Sequence, residues 1–357
     1  MRTLPHKALL GLGVFLLAAC GGAHTPAKYS LSQCSRLGLT DAVSGETIRG
    51  VEDFAVDWES QTIFLSAYDR RAVEKAARDR AETLPQGGIY AVLIDEVFDR
   101  EKDTLSISPL IAEDKFPGGL RPHGISFDAD TQELLFINRS YRQQGRRWIM
   151  APNVHRISLQ GEAVISLSET THCAANNLFK SSDSIYVSFD HQFCDWRGVF
   201  ENIFGLRQSG FLKQTDDVIL SKMKYANGIT QISDEHIFIA ATREKKLYKV
   251  DLETGKILYR YKVPGGPDNI TIGYDDNAIT ALHPSLIKLA MNRKLGIGKA
   301  PSRIMKLNPV TDKTIMLFDD AKGAFFSAAT VGVETERGLI AGSVTDDGIL
   351  VCGVAGE

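Results

Sequence analysis

Hydrophobic and polar positions alternate along most of the chain, and one two-strand pattern occurs six times. In each repeat a first strand starts at a polar or small residue, and a second strand, rich in β-branched and aromatic residues, follows a turn. The first strands are predicted at 52–56, 123–127, 177–179, 227–230, 269–272 and 328–331. The second strands are predicted at 62–66, 134–138, 185–188, 237–240, 278–282 and 339–343. Long helical periodicity is nearly absent, so the pattern predicts an all-β protein.

Most repeats continue into a third and a fourth strand. The clearest case is 246–251, a turn, and 257–261, and the fifth repeat echoes it with 304–307 and 314–317. Four-stranded units that recur at roughly 40 to 70 residues are typical of a β-propeller, in which each sheet is one blade. The sequence therefore predicts a six-bladed β-propeller.

The two ends of the chain are expected to complete the sixth blade. That repeat has only three strands, the last being Ile349–Val351, so a fourth strand is needed to cover the open edge. The segment from Cys34 to Leu39 could supply it.

Three insertions interrupt the strand pattern. Apolar residues recur at helical spacing in the second insertion and more loosely in the third: Trp196, Val199, Phe200, Ile203 and Phe204, then Leu286, Leu289, Ala290 and Leu295. These segments are either helices packed on the propeller or a lid or wall over a ligand entrance. The first insertion, Asp69 to Arg80, is charged and is expected to be a solvated helix.

Residues 1–19 are predicted to be a signal peptide. Arg2 and Lys7 precede an apolar stretch, 8–17, that is too short to span a bilayer. The stretch ends in Leu17-Ala18-Ala19-Cys20, which resembles the lipobox of bacterial lipoproteins and implies a lipid on Cys20. An ordinary signal peptide with a chance cysteine is the alternative. Residues 20–30 are predicted to be the lipidated cysteine and a flexible tether, and residues 31–357 the propeller domain.

The predicted export of the protein bears on its location and on whether its cysteines are oxidised. No aspartate follows Cys20, which favours a lipid-anchored protein of the bacterial cell envelope, at the outer membrane and facing the periplasm. Four cysteines remain, an even number in an oxidising compartment. Cys34 and Cys352 are expected to join the ends of the domain. Cys173 and Cys194 form a second candidate pair, with two free buried thiols as the alternative.

Composition excludes one class of partner. The formal charge is −3 and no basic run occurs, which argues against nucleic-acid binding. A hydrophobic content of 43% is ample for a core. The sequence makes no prediction of oligomeric state.

The first strands of a propeller line its central tunnel, and their starts cluster at one end. The repeats place a set of polar residues there: Glu52, His123, Asn176, Asn227, Asp268 and Asn269. Carboxylate and amide oxygens suit calcium rather than zinc. Any single Asn-Gly or Asp-Asn pair is most often a turn, but the repetition at equivalent positions indicates one site.

These stretches resemble the paraoxonase/arylesterase family of calcium-dependent six-bladed propellers that hydrolyse lactones and esters. The motifs are Gly50-Val51-Glu52-Asp53, Pro122-His123-Gly124-Ile125-Ser126, Asn176-Asn177, Ala226-Asn227-Gly228-Ile229, Asp268-Asn269-Ile270 and His283-Pro284. The resemblance implies that Glu52, Asn176, Asn227, Asp268 and Asn269 hold a catalytic calcium. It implies a second, structural calcium at Asp53, the Ile125 carbonyl and the position of Asn177.

Two departures from the family pattern stand out. The structural site of the family has an aspartate where this chain has Asn177, which should weaken the second calcium. The family also has a second histidine after an asparagine at a strand end, and here Asn138 is followed by Arg139. Arginine cannot relay a proton, so a two-histidine mechanism does not carry over.

The predicted function is calcium-dependent hydrolysis of small-molecule lactones and carboxylic (aryl) esters. Calcium would polarise the carbonyl, and His123, near its unperturbed pKa, would act as the general base on water. Arg139 either binds a substrate carboxylate or phosphate, or pairs with an acid. Tyr225 either lines the pocket or packs as a strand tyrosine, and His283 either contacts the substrate or has a packing or hydrogen-bonding role.

Two other functions are compatible with the sequence. One is a gluconolactonase-like enzyme that acts on sugar lactones with another divalent metal. The other is a calcium-stabilised surface propeller that binds a ligand without turnover, an interpretation that Arg139 keeps open.

Overall fold

The computed structural model describes residues 26–161, 163–214 and 217–353. The predicted signal peptide and Cys20 lie outside the described residues. Within the described ranges, none of the helices has the length and apolar character that crossing a bilayer requires.

Strands dominate the described chain and are short. Those of the first half are β1 (Cys34–Asp41), β2 (Val51–Asp57), β3 (Thr62–Ala67), β4 (Gly88–Leu93), β5 (Thr104–Ile107), β6 (Pro122–Asp128), β7 (Glu133–Asn138), β8 (Tyr141–Gln144), β9 (Arg147–Met150), β10 (Asn153–Ser158), β11 (Val164–Thr170), β12 (Ala175–Ser181) and β13 (Ser184–Phe189). Those of the second half are β14 (Ser209–Lys213), β15 (Val218–Met223), β16 (Ala226–Gln231), β17 (His236–Ala241), β18 (Lys246–Asp251), β19 (Ile257–Lys262), β20 (Gly266–Ile272), β21 (Ala278–His283), β22 (Ser302–Leu307), β23 (Thr314–Asp320), β24 (Ala329–Thr335), β25 (Gly338–Ser343) and β26 (Ile349–Gly353).

Helical segments are few and lie between strands. The α-helices of the described residues are α1 (Arg70–Asp79), α2 (Ile94–Val97), α3 (Trp196–Phe204) and α4 (Leu286–Ala290), and a π-helical turn, Met291–Leu295, continues α4. Short 3-10 turns occur at Leu31–Gln33, Glu113–Lys115 and Thr242–Glu244.

Twenty-three of the 26 described strands form six antiparallel blades, numbered here 1 to 6 in chain order. Of the other three, β5 pairs in parallel with β1, and β8 and β9 form a separate two-stranded sheet. The sheet orders, from the inside outward, are β2-β3-β4, β6-β7-β10-β11, β12-β13-β14-β15, β16-β17-β18-β19, β20-β21-β22-β23 and β24-β25-β26-β1. Each first strand contacts the first strand of the next blade, and β24 in turn contacts β2, so the first strands form a closed ring. The predicted six-bladed β-propeller is confirmed, and each of the twelve predicted first and second strands overlaps an observed one.

The N-terminal strand β1 takes part in two pairings. Its first half runs antiparallel to β26 in blade 6, with Cys34 opposite Cys352. Its second half runs parallel to β5, with Gly38 opposite Thr104. The two ends of the folded domain therefore lie side by side in one sheet.

The hydrophobic core lies between neighbouring blades. One cluster joins blade 2 to blade 3 through buried residues such as Ile137 and Val187. Another joins blade 4 to blade 5 through Phe238 and Leu282. Blades that pack in this way bury both faces of their sheets. The second strand of a blade therefore consists mostly of apolar residues, as at Leu134–Ile137.

The insertions differ in part from expectation. Helix α1 is present, but the expectation that it is simply solvated is wrong, because Val73 is fully buried and Arg70 faces the propeller. Helix α3 turns apolar side chains outward: Trp196 is 68% exposed and Phe204 is 66% exposed. These aromatic residues are therefore not the packed face of a core helix.

The last residues of the segment predicted as a tether are packed against the propeller. The Lys28 and Tyr29 amides donate to the Met316 and Leu317 carbonyls of β23. Tyr29 is 2% exposed, and its hydroxyl donates to Glu334 at 2.9 Å. From Lys28 onward the chain is therefore hydrogen-bonded to blade 5.

Both predicted cysteine pairs are disulfides. Cys34 is bonded to Cys352 across 318 residues of sequence, and Cys173 to Cys194 across 21. The first bond links the paired strands β1 and β26, and the second closes the loop that follows β13.

The two disulfides are expected to stabilise the fold unequally. In the chain-entropy model the long loop contributes about 6 kcal/mol and the short loop about 3 kcal/mol. We expect the pair Cys34→Ala/Cys352→Ala to lower the urea midpoint more than the pair Cys173→Ala/Cys194→Ala. Urea unfolding of both variants beside the native chain measures this, and equal midpoints would contradict it.

Candidate active site

A bulge occurs near the start of every first strand, and the predicted site residues lie in these bulges. Pairing with the second strand shifts between Val51 and Asp53, Pro122 and Ile125, Ala175 and Leu178, Ala226 and Ile229, Pro267 and Ile270, and Ala329 and Val331. A bulge leaves residues unpaired and turns the strand locally, which re-aims side chains. The six-fold repetition of this device brings the polar strand starts together around the axis.

Two glycines permit the close approach of the strand starts. A Cβ on Gly124 would lie 2.5 Å from the Cα of Asn177, and one on Gly228 would lie 2.5 Å from the carbonyl oxygen of Asp268. A side chain at either position would therefore push neighbouring blades apart. This explains the glycine that directly follows His123 and Asn227 in the two motifs.

A hydrogen-bond network crosses the tunnel and joins blades 1, 3 and 5. The side-chain nitrogen of Asn177, Nδ2, donates to Asp53 Oδ2 at 3.0 Å and to Asn269 Oδ1 at 3.1 Å. Asn269 Nδ2 donates to the carbonyl of Glu52 at 2.8 Å. The Leu178 amide donates to Asn177 Oδ1 at 2.7 Å, which orients the Asn177 amide group with its nitrogen toward Asp53.

Asp268 is the centre of a second group of polar contacts. Its Oδ2 lies 2.6 Å from His283 Nε2 and accepts a hydrogen bond from the Thr330 hydroxyl at 2.8 Å. Its Oδ1 accepts from Asn227 Nδ2. Blades 4, 5 and 6 thus meet at one carboxylate, and His283 has the hydrogen-bonding role that was one of its two alternatives.

His123 is buried next to Glu52 and Arg70. The side chain of His123 is 2% exposed, and its Nδ1 lies 3.4 Å from Glu52 Oε1 without forming a hydrogen bond. Arg70 from α1 reaches the same oxygen at 3.3 Å. The helix that was expected to be solvated therefore contributes a cation to the site.

The expectation that His123 titrates near its ordinary pKa is wrong. Burial lowers the pKa of His123 well below the usual value, and the positive charges of Arg139 and Arg70 lower it further. Burial also raises the pKa of Glu52 and, more strongly, that of Asp53. His123 is consequently neutral at neutral pH.

A carboxylate on blade 3 completes the site. Asn176 Nδ2 donates to Asp190 at 3.3 Å, and His191 bonds to the other oxygen of the same carboxylate. Burial acts to raise the pKa of Asp190, but its bond to His191 and the positive charges of His191, Arg139 and Arg70 together lower it. The Asp190 charge, followed by burial, raises the pKa of Tyr225 to about 12, so the tyrosine lies beside this carboxylate.

The structure adds residues that the sequence interpretation missed. Arg70 and Glu74 come from α1, and Arg293 comes from the π-helical turn after α4. Thr330 lies in the bulge of the first strand of blade 6, at the position that carries an acid, amide or histidine in the other blades, so its place in the repeat was a usable signal. No comparable signal marks the insertion residues, because their approach to the tunnel depends on tertiary packing.

The predicted ligand set consists of groups that a hard cation takes, and Asn176 Oδ1 is open to one. Asp53 Oδ1 and Asn176 Oδ1 are buried oxygens without a hydrogen-bond partner. Most buried polar atoms in proteins have such a partner. Among the described residues, no group of three His, Cys, Asp or Glu side chains is arranged to hold a metal, so asparagine oxygens would have to contribute. Such a mixed carboxylate and amide set is of the kind that calcium takes.

The implied second calcium does not fit equally well. Asn177 turns a donor, not an oxygen, toward Asp53, and the Ile125 amide donates to the same carboxylate oxygen at 3.1 Å. Two N–H groups therefore occupy the place where cation ligands would have to be acceptors. The aspartate-to-asparagine departure noted in the sequence has a direct structural counterpart here.

Comparisons with known proteins show the fold. No protein-family model matches the chain, and no curated protein matches it. A catalytically inactive virginiamycin B lyase from Staphylococcus aureus, solved with quinupristin, superposes with a TM-score of 0.51 at 11% identity, over 90% of this chain and 99% of that one.

Two further solved structures are similar over most of their length. The pyrroloquinoline quinone (PQQ)-bound aldose sugar dehydrogenase from Streptomyces coelicolor has a TM-score of 0.50 at 11% identity, over 91% of this chain and 98% of that chain. A putative gluconolactonase has a TM-score of 0.46 at 12% identity, over 93% and 96%. At these identities the likeness extends to the propeller fold, and the resemblance to the paraoxonase family stays an interpretation of the motifs.

Asn177→Asp should make the tunnel depend on calcium. The substitution removes the donor to Asp53 and Asn269 and places a carboxylate against two acceptors, which costs about 2–4 kcal/mol when no cation is present. Thermal unfolding in chelator should show the loss, and added calcium should restore more stability than it adds to the native chain.

Asn177→Ala is the control for this substitution, because it removes the donor but adds no ligand. It should lose stability in chelator and show no extra gain with calcium. An Asn177→Asp variant as stable as the native chain in chelator would contradict the prediction that the substitution makes stability depend on calcium.

The lowered pKa of His123 predicts an acid-sensitive contribution to stability. The folded protein binds this proton less readily than the unfolded chain, so the contribution is complete above about pH 6.5 and is lost as the pH falls toward the folded value. One such group changes the free energy of unfolding by at most about 1.4 kcal/mol per pH unit. Glu52 and Asp53, with raised pKa values, have the opposite dependence.

The comparison with His123→Gln isolates this contribution. In chelator, the stability advantage of the native chain over the variant should shrink between pH 6.5 and 5. Thermal unfolding at a series of pH values measures it, and a constant difference across the range would contradict the assignment.

Proposed function

We propose that the protein is a calcium-dependent hydrolase of lactones and carboxylic esters. One observation carries the proposal: a buried, neutral His123 lies 3.4 Å from Glu52 within a ring of carboxylate and amide groups, in which Asn176 Oδ1 has no hydrogen-bond donor. Unpartnered, desolvated groups of this kind concentrate at functional sites. The motif resemblance to lactone- and ester-hydrolysing propellers supports the same reaction.

The residues that would hold the cation are those of the first-strand bulges: Glu52, Asn176, Asn227, Asp268 and Asn269. A bound calcium would supply Lewis acidity toward the substrate carbonyl and the oxyanion that develops from it. Thr330 and His283 support this set by fixing the Asp268 carboxylate from two sides. The second calcium of the resemblance is not part of the proposal, because Asn177 and the Ile125 amide fill its place with donors.

His123 is the proposed general base. Its Nδ1 has no hydrogen-bond partner and can therefore accept a proton from the attacking water. Glu52, with an oxygen 3.4 Å away, would stabilise the protonated ring. The lowered pKa of His123 makes it a weak base in the resting protein, so this stabilisation matters at the moment of proton transfer.

The proposed location is the outer membrane, through a lipid on Cys20. Because the chain packs against β23 from Lys28 onward, only residues 20 to 28 would separate the lipid from the propeller. Eight extended residues span at most about 28 Å. The rim at blade 5 would thus lie close to the membrane surface.

The proposed reaction predicts calcium-dependent turnover of a panel of lactones and phenyl acetate by the domain from residue 26 onward. Chelator should abolish the activity, Asp268→Ala should abolish it and calcium binding together, and His123→Ala should lower kcat by about 10²- to 10⁴-fold with calcium binding retained. Initial rates and calorimetric titration of calcium provide the two readouts.

Asp95→Ala is the matched control, since its side chain is 84% exposed and pairs only with Arg337 on the surface. It should behave as the native domain in both readouts. Activity confined to sugar lactones would favour the gluconolactonase-like alternative. Calcium binding without turnover on the whole panel would overturn the hydrolase proposal in favour of a binding propeller.

A further inference from the structure

Arg139 is a buried arginine without a counter-ion. The residue is 5% exposed, and its Nε has no hydrogen-bond partner. Its backbone amide is bonded to the Arg121 carbonyl, which places the residue directly beyond the end of β7. A buried, unpaired guanidinium is strongly unfavourable, so its retention calls for a partner that is present only part of the time.

The carboxylates near Arg139 are already engaged. The Arg139 charge lowers the pKa of Glu52, Glu74 and Asp190. Glu52 pairs with Arg70 at 3.3 Å, Glu74 pairs with Arg70 at 3.2 Å, and Asp190 is bonded to His191. None of the three is left to neutralise Arg139.

Arg70 and Arg293 both lie beside Glu74. Arg293 Nη1 lies 3.8 Å from Glu74 Oε1, the same oxygen that Arg70 contacts at 3.2 Å. Arg71 holds the π-helical turn that carries Arg293, by donating to the Asn292 carbonyl at 2.8 Å. The charges of Arg139, Arg70 and Arg293 all lower the pKa of His123, so all three guanidinium groups act on the proposed base.

The ion pairs of this cluster leave Arg139 out. Arg70 pairs with Glu52 and Glu74, Arg293 lies 3.8 Å from Glu74, and Asp190 pairs with His191. Within the part of the chain that the structure describes, Arg139 forms no ion pair, and its Nε has no hydrogen-bond partner. Its guanidinium can therefore pair with an anion that enters the site.

We propose that Arg139, flanked by Arg70 and Arg293, binds an anionic oxygen group of the substrate, a carboxylate or a phosphate. The proposal rests on the proposed function and narrows it to esters or lactones that carry such a group. The planar guanidinium presents two parallel N–H donors, which match either oxyanion in a bidentate manner. The partner that Arg139 lacks in the free protein would then arrive with the substrate.

Binding is tested first, without turnover. In chelator, where no carboxylate–calcium contact can form, calorimetric titration compares 4-hydroxybenzoate, 4-hydroxybenzamide and inorganic phosphate. The native domain should bind 4-hydroxybenzoate or phosphate at least tenfold more tightly than the neutral amide. Arg139→Gln should remove this difference, and Arg139→Lys should restore it only in part, because lysine keeps the charge but not the fork.

Selectivity is tested second, with a matched pair of esters. We expect kcat/KM for 4-acetoxybenzoate to exceed that for 4-acetoxybenzamide at least tenfold, and Arg139→Gln to bring the ratio near one. The ratio is the required readout, because Arg139 also lowers the pKa of His123 and its loss would change both rates. Arg337→Gln, a surface arginine paired with Asp95, is the control and should keep the native ratio.

A stability measurement separates recognition from a structural role. Removal of an unpaired buried charge should leave the thermal midpoint of Arg139→Gln equal to or above that of the native domain. A lowered midpoint together with unchanged anion binding would overturn the proposal. Ester hydrolysis without charge preference, and no anion binding, would also overturn it while leaving the hydrolase standing. Anion binding lost in Arg139→Gln, without hydrolysis, would support the recognition site and refute the enzyme.

Discussion

The hydrogen bonds that cross the tunnel axis are the constraint on which the rest of the site depends. Asn177 bridges Asp53 and Asn269, and Asn269 reaches back to the Glu52 carbonyl, so three alternate blades share one small polar network. Buried polar groups are stable only where their partners are met. The six bulges and the glycine at Gly124 bring the strand starts close enough for those bonds to form. The same close approach of the first strands therefore closes the propeller and sets the geometry of the site.

Much of this could be predicted because the repeat reports both fold and position. An alternating strand pattern that occurs six times leaves few architectures other than a propeller, and the polar residue at each strand start then marks the tunnel end. Glu52, Asn227 and Asp268 were placed together by this logic alone, and the structure joins Asn227 directly to Asp268. The Cys34–Cys352 disulfide was expected because the two residues lie at the ends of the domain, whereas for Cys173 and Cys194 a disulfide was one of two alternatives.

What could not be predicted lies in the insertions and in the electrostatics. Arg70 and Arg293 come from segments whose sequence shows only charge and a weak helical pattern, so nothing local indicates that they reach the tunnel. The lowered pKa of His123 follows from burial and from those same arginines, and it could not be inferred before their positions were known. Tyr29 is similar, since its hydrogen bond to Glu334 joins residues 305 positions apart.

The double pairing of β1 has a consequence for the order in which the molecule assembles. The half of β1 that pairs with β5 finds its partner after about seventy residues of chain, whereas the half that pairs with β26 must wait for the last strand. Contacts between such distant segments form slowly because a long loop must close first. Blade 6 is therefore the last to be completed, and β1, already held by β5, is the edge onto which the final strand is added.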